Sequence, residues 1–329
     1  MSEQIIECVP NFSEGQDEKV IEKIKNAIAS TPGVKLLLSD SGYDAHRTVY
    51  TFAGAPDSVL EAAFNSIKMA ASLIDMSHHK GLHPRSGTCD VCPIIPVRGV
   101  SMEQAIQMSK KLGVRVWNEL KIPVYYYENS ATTPARKNLA YIRKGGYENL
   151  ATRLRDDIDF RPDEGEPIFN SQSGICTIGA RDYMVAYNIN LASRDTQIAS
   201  LIAKTIRESG NYGVKGKFKK LKAMGWYMPT YEKVQVSMNF YDCNITPIHT
   251  VYEEVKKLAW EYRTFVTGSE LVGLIPYHCV YDAGKFASEY DPKLTDEQII
   301  KKGIRYLNLD EVKPFDPQIH ILEYALGLK

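Results

Sequence analysis

A chain of 329 residues is long enough for two domains with separate cores, and 40 Lys and Arg set against 40 Asp and Glu leave no net field to gather nucleic acid or an anionic membrane. With 44% hydrophobic residues and no apolar run near the ~20 residues that cross a bilayer, the composition is that of a globular protein without a membrane span. The first residues lack a basic-then-apolar leader and the six cysteines are scattered, so free thiols in a reducing cytoplasm are expected.

Residues 5–9 form a short apolar run, predicted as a strand. Residues 17–30 follow with Val20, Ile21, Ile24, Ala27 and Ile28 on one helical face, and Pro32-Gly33 stops that helix. Strands are predicted over 34–38 and 47–53, separated by a turn rich in Ser, Gly and Asp. Pro56 opens a second helix with an apolar stripe from Val59 to Ala71, and 90–97 returns as a strand. Ser101 with Gln104 has the form of a capping box for a helix to about 112, and 123–128 reads as an added strand. After a polar, irregular stretch at 156–174 the order begins again, with strand 183–191, helix 194–208, strands 222–228 and 233–241, helix 247–262 and a short strand 264–266. Each half therefore reads βαββαβ, the element order of ferredoxin-like units. The expected fold is α+β: two ferredoxin-like subdomains, 1–179 and 180–329, helices on one face of each sheet, and a ligand cleft between the halves.

The densest chemistry lies in His78-His79-Lys80-Gly81-Leu82-His83-Pro84-Arg85-Ser86-Gly87. Pro84 pushes His83 toward an extended backbone and the glycines permit close approach, so this is a shaped loop rather than a helix. Histidine exchanges protons near neutrality, and arginine presents a fixed fork to carboxylate or phosphate. His83 is the best proton carrier of the three; His78 and His79 read as solvated. Zinc is the rival use, since Cys89, Asp90 and Cys92 follow closely. Alternation along a strand would send Cys89 and Cys92 to opposite faces, and neither a second cysteine knuckle nor an HExxH occurs, so no metal is expected.

Asp40 closes one predicted strand and Arg47 begins the next, so both are candidates to face a shared cleft, with turn chemistry the alternative. The segment Pro10-Asn11-Phe12-Ser13-Glu14-Gly15 leads into a helix start, where free N–H groups favour an anion or a plain N-cap. The basic run 215–222 stands alone in a neutral chain and reads as a solvated loop whose one attractive use is to receive a polyanionic tail. Ser237, Ser269 and Cys279 lack a nucleophile elbow or a partner base.

The stretches ECVPNFSEG at 7–15, RTVYTF at 47–52, LIDMSHHKGLHPRSGTCDVCPIIPVRGVSM at 73–102, GWY at 225–227 and GSELVGLIP at 268–276 together resemble the glutamate formimidoyltransferase family, collinearly over essentially the whole chain. The resemblance implies transfer of the formimino group of N-formimino-L-glutamate to N5 of tetrahydrofolate, releasing L-glutamate in histidine degradation and one-carbon metabolism. It implies a homodimer of two-subdomain chains, with the cyclodeaminase that consumes the product a separate enzyme here. The family's catalytic histidine falls on His83. Its folate-binding segment falls on Gly165, Glu166, Pro167, Ile168, Phe169, Asn170, Ser171, Gln172, Ser173 and Gly174. Leu82 and Ser86 depart from the Glu and Met common in relatives.

On this reading His83 is the acid–base, Asp40 orients it, and Arg47 or Arg85 grips a substrate carboxylate. Tetrahydrofolate, as a (poly)glutamate, is the acceptor. The alternatives are formyl transfer between 5-formyltetrahydrofolate and glutamate on the same scaffold, a metal-dependent hydrolase using the His/Cys loop, and a folate-binding protein without turnover.

Overall fold

The computed structural model describes residues 4–329, which form two compact units dividing after Asp182. In chain order the first unit runs β1 (Ile5–Cys8), β2 (Asn11–Phe12), α1 (Glu18–Ala29), β3 (Val34–Gly42), β4 (Arg47–Gly54), α2 (Pro56–Leu73), β5 (Cys89–Arg98), α3 (Met102–Leu120), β6 (Val124–Tyr126), the short helices α4 (Leu139–Ile142) and α5 (Leu150–Asp156), and β7 (Cys176–Ala180).

Local chemistry explains the helices. The Asp17 carboxylate caps α1 by accepting from the amides of Lys19 and Val20, while Ile21, Ile24 and Ile28 bury one stripe. Pro56 occupies the first turn of α2, where its missing N–H costs nothing. The Ser101–Gln104 capping box forms in α3. That helix passes the expected end at 112 because Gly113, costly in an exposed helix, lets Tyr126 approach: a Cβ there would sit 2.5 Å from the tyrosine hydroxyl.

β1 and β2 are two lengths of one interrupted strand, antiparallel to β4 on one side and to β5 on the other, and β3 closes the far side of β4. This interleaved order is the expected split βαβ arrangement. β7 and then β6, the added strand expected at 123–128, continue the sheet beyond β5 in parallel, making seven strands where five were expected. β7 escapes sequence reading because all five of its residues are buried, so it shows no alternation.

The second unit runs β8 (Val185–Leu191), α6 (Thr196–Ile206), β9 (Leu221–Met228), β10 (Lys233–Phe240), α7 (Ile248–Glu261) and β11 (Val266–Val272), with sheet order β11-β8-β10-β9, antiparallel throughout. The same split βαβ order thus recurs. The last strand lies further on than the expected 264–266, and α8 (Tyr277–Ala287), α9 (Asp296–Leu307), α10 (Pro317–His320) and α11 (Leu322–Leu326) complete the unit. Each unit has its own core, around Phe12, Tyr50, Phe52 and Phe64 in the first and around Tyr187, Phe240, Ile248 and Leu307 in the second. Among the described residues no helix is long and apolar enough to cross a membrane.

Strand register decides which side chains are available for chemistry. The Tyr50 hydroxyl donates to the Ile21 carbonyl at 2.8 Å and Phe52 belongs to the core, so the even positions of β4 face the helices. Arg47, Val49, Thr51 and Ala53 therefore face the other way. Asp40 and Asn11 both pair with Val49, and Glu7 pairs with Ala53, which places all three on that second face.

Candidate active site

A small recess in the first unit, about 10 Å³ in volume, is lined by Asn11, His46, Arg47, His79, His83, Arg85 and Asp90, among others. Ordinary ligand pockets start near ~300 Å³, so this space admits about one water-sized group and not a whole cofactor. Of the sequence-derived residues, His83, Arg47 and Arg85 meet here, while Asp40 lies on the same sheet face and its charge bears on Arg47.

His83 is half-buried in the loop after α2, where Pro84 follows it. Its Nδ1 lies 2.8 Å from the Pro84 carbonyl oxygen, and Nη1 of Arg47 lies 2.7 Å from its Nε2. Nη1 of Arg47 also lies 2.8 Å from Nδ1, but the Pro84 carbonyl can only accept, so Nδ1–H donates to it and the Nε2 lone pair accepts from Arg47. Burial, with the positive charges of Arg47 and Arg143, holds the ring's pKa well below the usual histidine range, so it is neutral at neutral pH. Arg47 itself is pushed down to about 10 by burial and Arg143, with Asp90 and Asp40 opposing. It stays charged.

His79 is buried rather than solvated. Its Nε2 donates to the His46 carbonyl at 2.9 Å and its Nδ1 accepts from Nε of Arg85 at 3.1 Å, an arrangement that fixes a neutral tautomer. Burial lowers its pKa. Its ring stacks on that of His46, 4.2 Å between centroids. His78 is exposed and pairs with Asp75. Arg85 is buried and heavily committed: it holds Glu148 in a two-pronged pair at 2.7 and 2.9 Å and also donates to the His79 carbonyl. A substrate carboxylate would have to displace Glu148 to reach it.

The anion seat expected ahead of α1 is taken by the chain itself. The Glu14 carboxylate accepts from the amides of Gly15, Gln16 and Asp17 at 2.8–2.9 Å, and its Oε1 lies 3.1 Å from Nε2 of His46.

Segment 165–174 lies against the histidine loop. The amide of Thr88 donates to Ser173, that of Ile175 to Ser86 and that of Met76 to Gln172, each at 2.9–3.0 Å. Gly87 and Gly174 bridge each other; a Cβ on Gly87 would stand 2.0 Å from the Ile175 oxygen, and one on Gly174 2.2 Å from that of Ser86. Gly165 backs onto Trp117, Glu166 accepts from the Ile168 amide, and Pro167 lies between them. Phe169 packs against Tyr147, whose hydroxyl bonds Ser171; Asn170 accepts from the Ser173 amide, and the Gln172 side chain bonds Ala71.

Sequence reasoning missed Asp90 as a site carboxylate and missed Arg143 and Glu148 altogether. Asp90 accepts from the Ser86 amide at 2.9 Å and pairs with Arg143. It reaches the recess because it is the extra residue of a bulge: Asn11 pairs with Val91 but Phe12 pairs with Cys89. The same bulge corrects the expectation for Cys89 and Cys92, which lie on one face and meet with Cys8 and Cys176 in the core. Burial raises the Cys8 and Cys89 thiols, so they stay protonated. Arg143 and Glu148 follow the loop by more than fifty residues and carry no local signal.

Paired split βαβ units, with a neutral histidine flanked by arginines and carboxylates on one of them, define a two-subdomain α+β protein equipped for proton transfer beside an anion. The chain belongs to the formiminotransferase domain family: the family model of the N-terminal subdomain matches residues 5–181, and that of the formiminotransferase domain matches 186–327. It is 44% identical over 326 residues to formimidoyltransferase-cyclodeaminase of Mus musculus, covering 98% of this chain and 60% of that one. Glutamate formimidoyltransferase of Streptococcus pyogenes serotype M1 is 38% identical over 92% of this chain and 99% of its own. The protein of the same name from Thermoplasma acidophilum is 38% identical over 86% and 91%. The chain thus spans 60% of the length of the cyclodeaminase-named relative.

Proposed function

We propose that this chain transfers the formimino group of N-formimino-L-glutamate to N5 of tetrahydrofolate. In that step N5 attacks the formimino carbon, a new C–N bond forms, and the bond from that carbon to the glutamate nitrogen breaks. The proton lost by N5 must reach the departing nitrogen. His83 fits the task because its ring is neutral, it lines the recess, and its basic Nε2 accepts from Arg47. This is the observation that carries the reading.

Arg47 is the better hand for a donor carboxylate, since its contact with a neutral imidazole is easily exchanged for a charged partner, whereas Arg85 is bound to Glu148. When Arg47 turns to the substrate it frees the lone pair it had covered, so donor binding and base activation are one event. Asp40 acts through Arg47, whose charge it favours, and Arg85 positions His79. The segment from Gly165 to Gly174, held against the histidine loop, receives the folate. A cytoplasmic homodimer completes the reading.

Glutamate release from N-formimino-L-glutamate should require tetrahydrofolate and survive exhaustive chelation. Release without folate, or loss on chelation, would favour the hydrolase; folate binding without release would favour a binder. His83→Ala should lower kcat roughly 10²- to 10⁴-fold. Unchanged turnover in that variant ends the assignment of His83.

A further inference from the structure

We infer that Asn11 reads the transferred group and makes the site selective for a formimino over a formyl donor. This rests on the function proposed above and names a residue for which that reading has no role.

The polar atoms around the recess are largely committed. His83 is held by Arg47 and Pro84, both nitrogens of His79 are bonded, Arg85 holds Glu148, and Asp90 holds Arg143 and the Ser86 amide. Asn11 differs. Its Oδ1 is buried and has no hydrogen-bond partner. Its Nδ2 faces the Val9 carbonyl at 3.5 Å, a long contact but one that sets the amide's orientation, since the flipped form would bring two acceptors together. The register puts the residue on the same sheet face as Asp40, with Val49 between them, and two residues along β4 from Val49 stands Arg47. Asn11 and the proposed base thus line the same recess, and Asn11 brings to it a buried acceptor without a partner.

An acceptor asks for a donor. The formimino carbon carries a nitrogen with N–H groups in the donor substrate, in the tetrahedral adduct and in the product, so Asn11 Oδ1 can hold it throughout. A formyl group presents oxygen at the same place. With a formyl donor two acceptors would face each other in a buried site, and such mismatches discriminate strongly because the buried group goes unpaired.

The test compares N-formimino-L-glutamate with N-formyl-L-glutamate as donors to tetrahydrofolate, in wild type, Asn11→Leu and Asn11→Asp. Wild type should favour the formimino donor. Asn11→Leu should lower kcat/KM for that donor about 10- to 100-fold and barely change the formyl rate, collapsing the ratio. Asn11→Asp, still an acceptor, should keep the formimino rate within about tenfold of wild type. An unchanged donor ratio in Asn11→Leu, or equal damage to the formimino rate by both substitutions, overturns the inference, and the Asp variant decides it if the Leu variant does not fold. Wild type that transfers neither group would instead refute the function proposed above.

Discussion

The state of a single imidazole depends on who stands beside it. His83 is held neutral by burial and by two guanidinium groups, of which Arg47 is the nearer contact and the larger charge effect. Replacing Arg47 by Met removes that positive neighbour, so the ring should bind its proton more readily and titrate at higher pH than in wild type. Proton NMR of the ligand-free protein reads this from the His83 ring resonance, and an unmoved midpoint would contradict the electrostatic account. His83 and Arg85 stood out in the sequence because a loop dense in such residues departs from ordinary composition, whereas Asp40 and Arg47 were read from the ends of successive strands, which the fold pairs as β3 and β4. Asp90 was legible only as a residue type, since its placement depends on a bulge that no propensity announces. Arg143 and Glu148 were illegible because they reach the site through tertiary folding alone.

Among the elements, the segment from Gly165 to Gly174 looked irregular in sequence, and in the fold it is a chain of turns pinned to the histidine loop by backbone bonds. Its last residue has φ +65°, and a side chain there would meet the Ser86 carbonyl. Gly174→Ala should therefore push the segment off the loop. The expected result is a rise of about tenfold or more in the KM for tetrahydrofolate, equivalent to ~1.4 kcal/mol, with a smaller change for the glutamate donor. Equal changes for both substrates would show that the segment has no special relation to folate. Helices with caps and strands with clear alternation were found close to their true limits. Elements that departed from those rules were not: β7 is buried throughout, α3 continues through a glycine, and α8 to α11 lie where only a resemblance offered guidance.

For the molecule as a whole, the repeated βαββαβ order was readable without any sequence repeat, because each half alternates the same kinds of apolar pattern. What could not be read was the burial of charge. Glu7 is fully buried on the central strand, neither carboxylate oxygen has a hydrogen-bond partner, and burial raises its pKa to about 7 against the pull of Arg181. In the unfolded chain it ionises near ~4.3, so between these values the folded state holds the extra proton and stability falls as pH rises. Glu7→Gln should thus be nearly neutral at pH 4 to 5 and stabilising at pH 8, by on the order of 3 kcal/mol. Urea denaturation at the two pH values measures it; a variant less stable than wild type at pH 8 would mean that the ionised carboxylate is needed.

The bulge at Asp90 works as a parity switch. One unmatched residue lets the chain send cysteines inward on both sides of it while a carboxylate points outward between them. Conservative replacement at this point alters one side chain, but losing a single residue would exchange inside for outside along everything that follows from the loop. The length of this strand is therefore under tighter constraint than its composition.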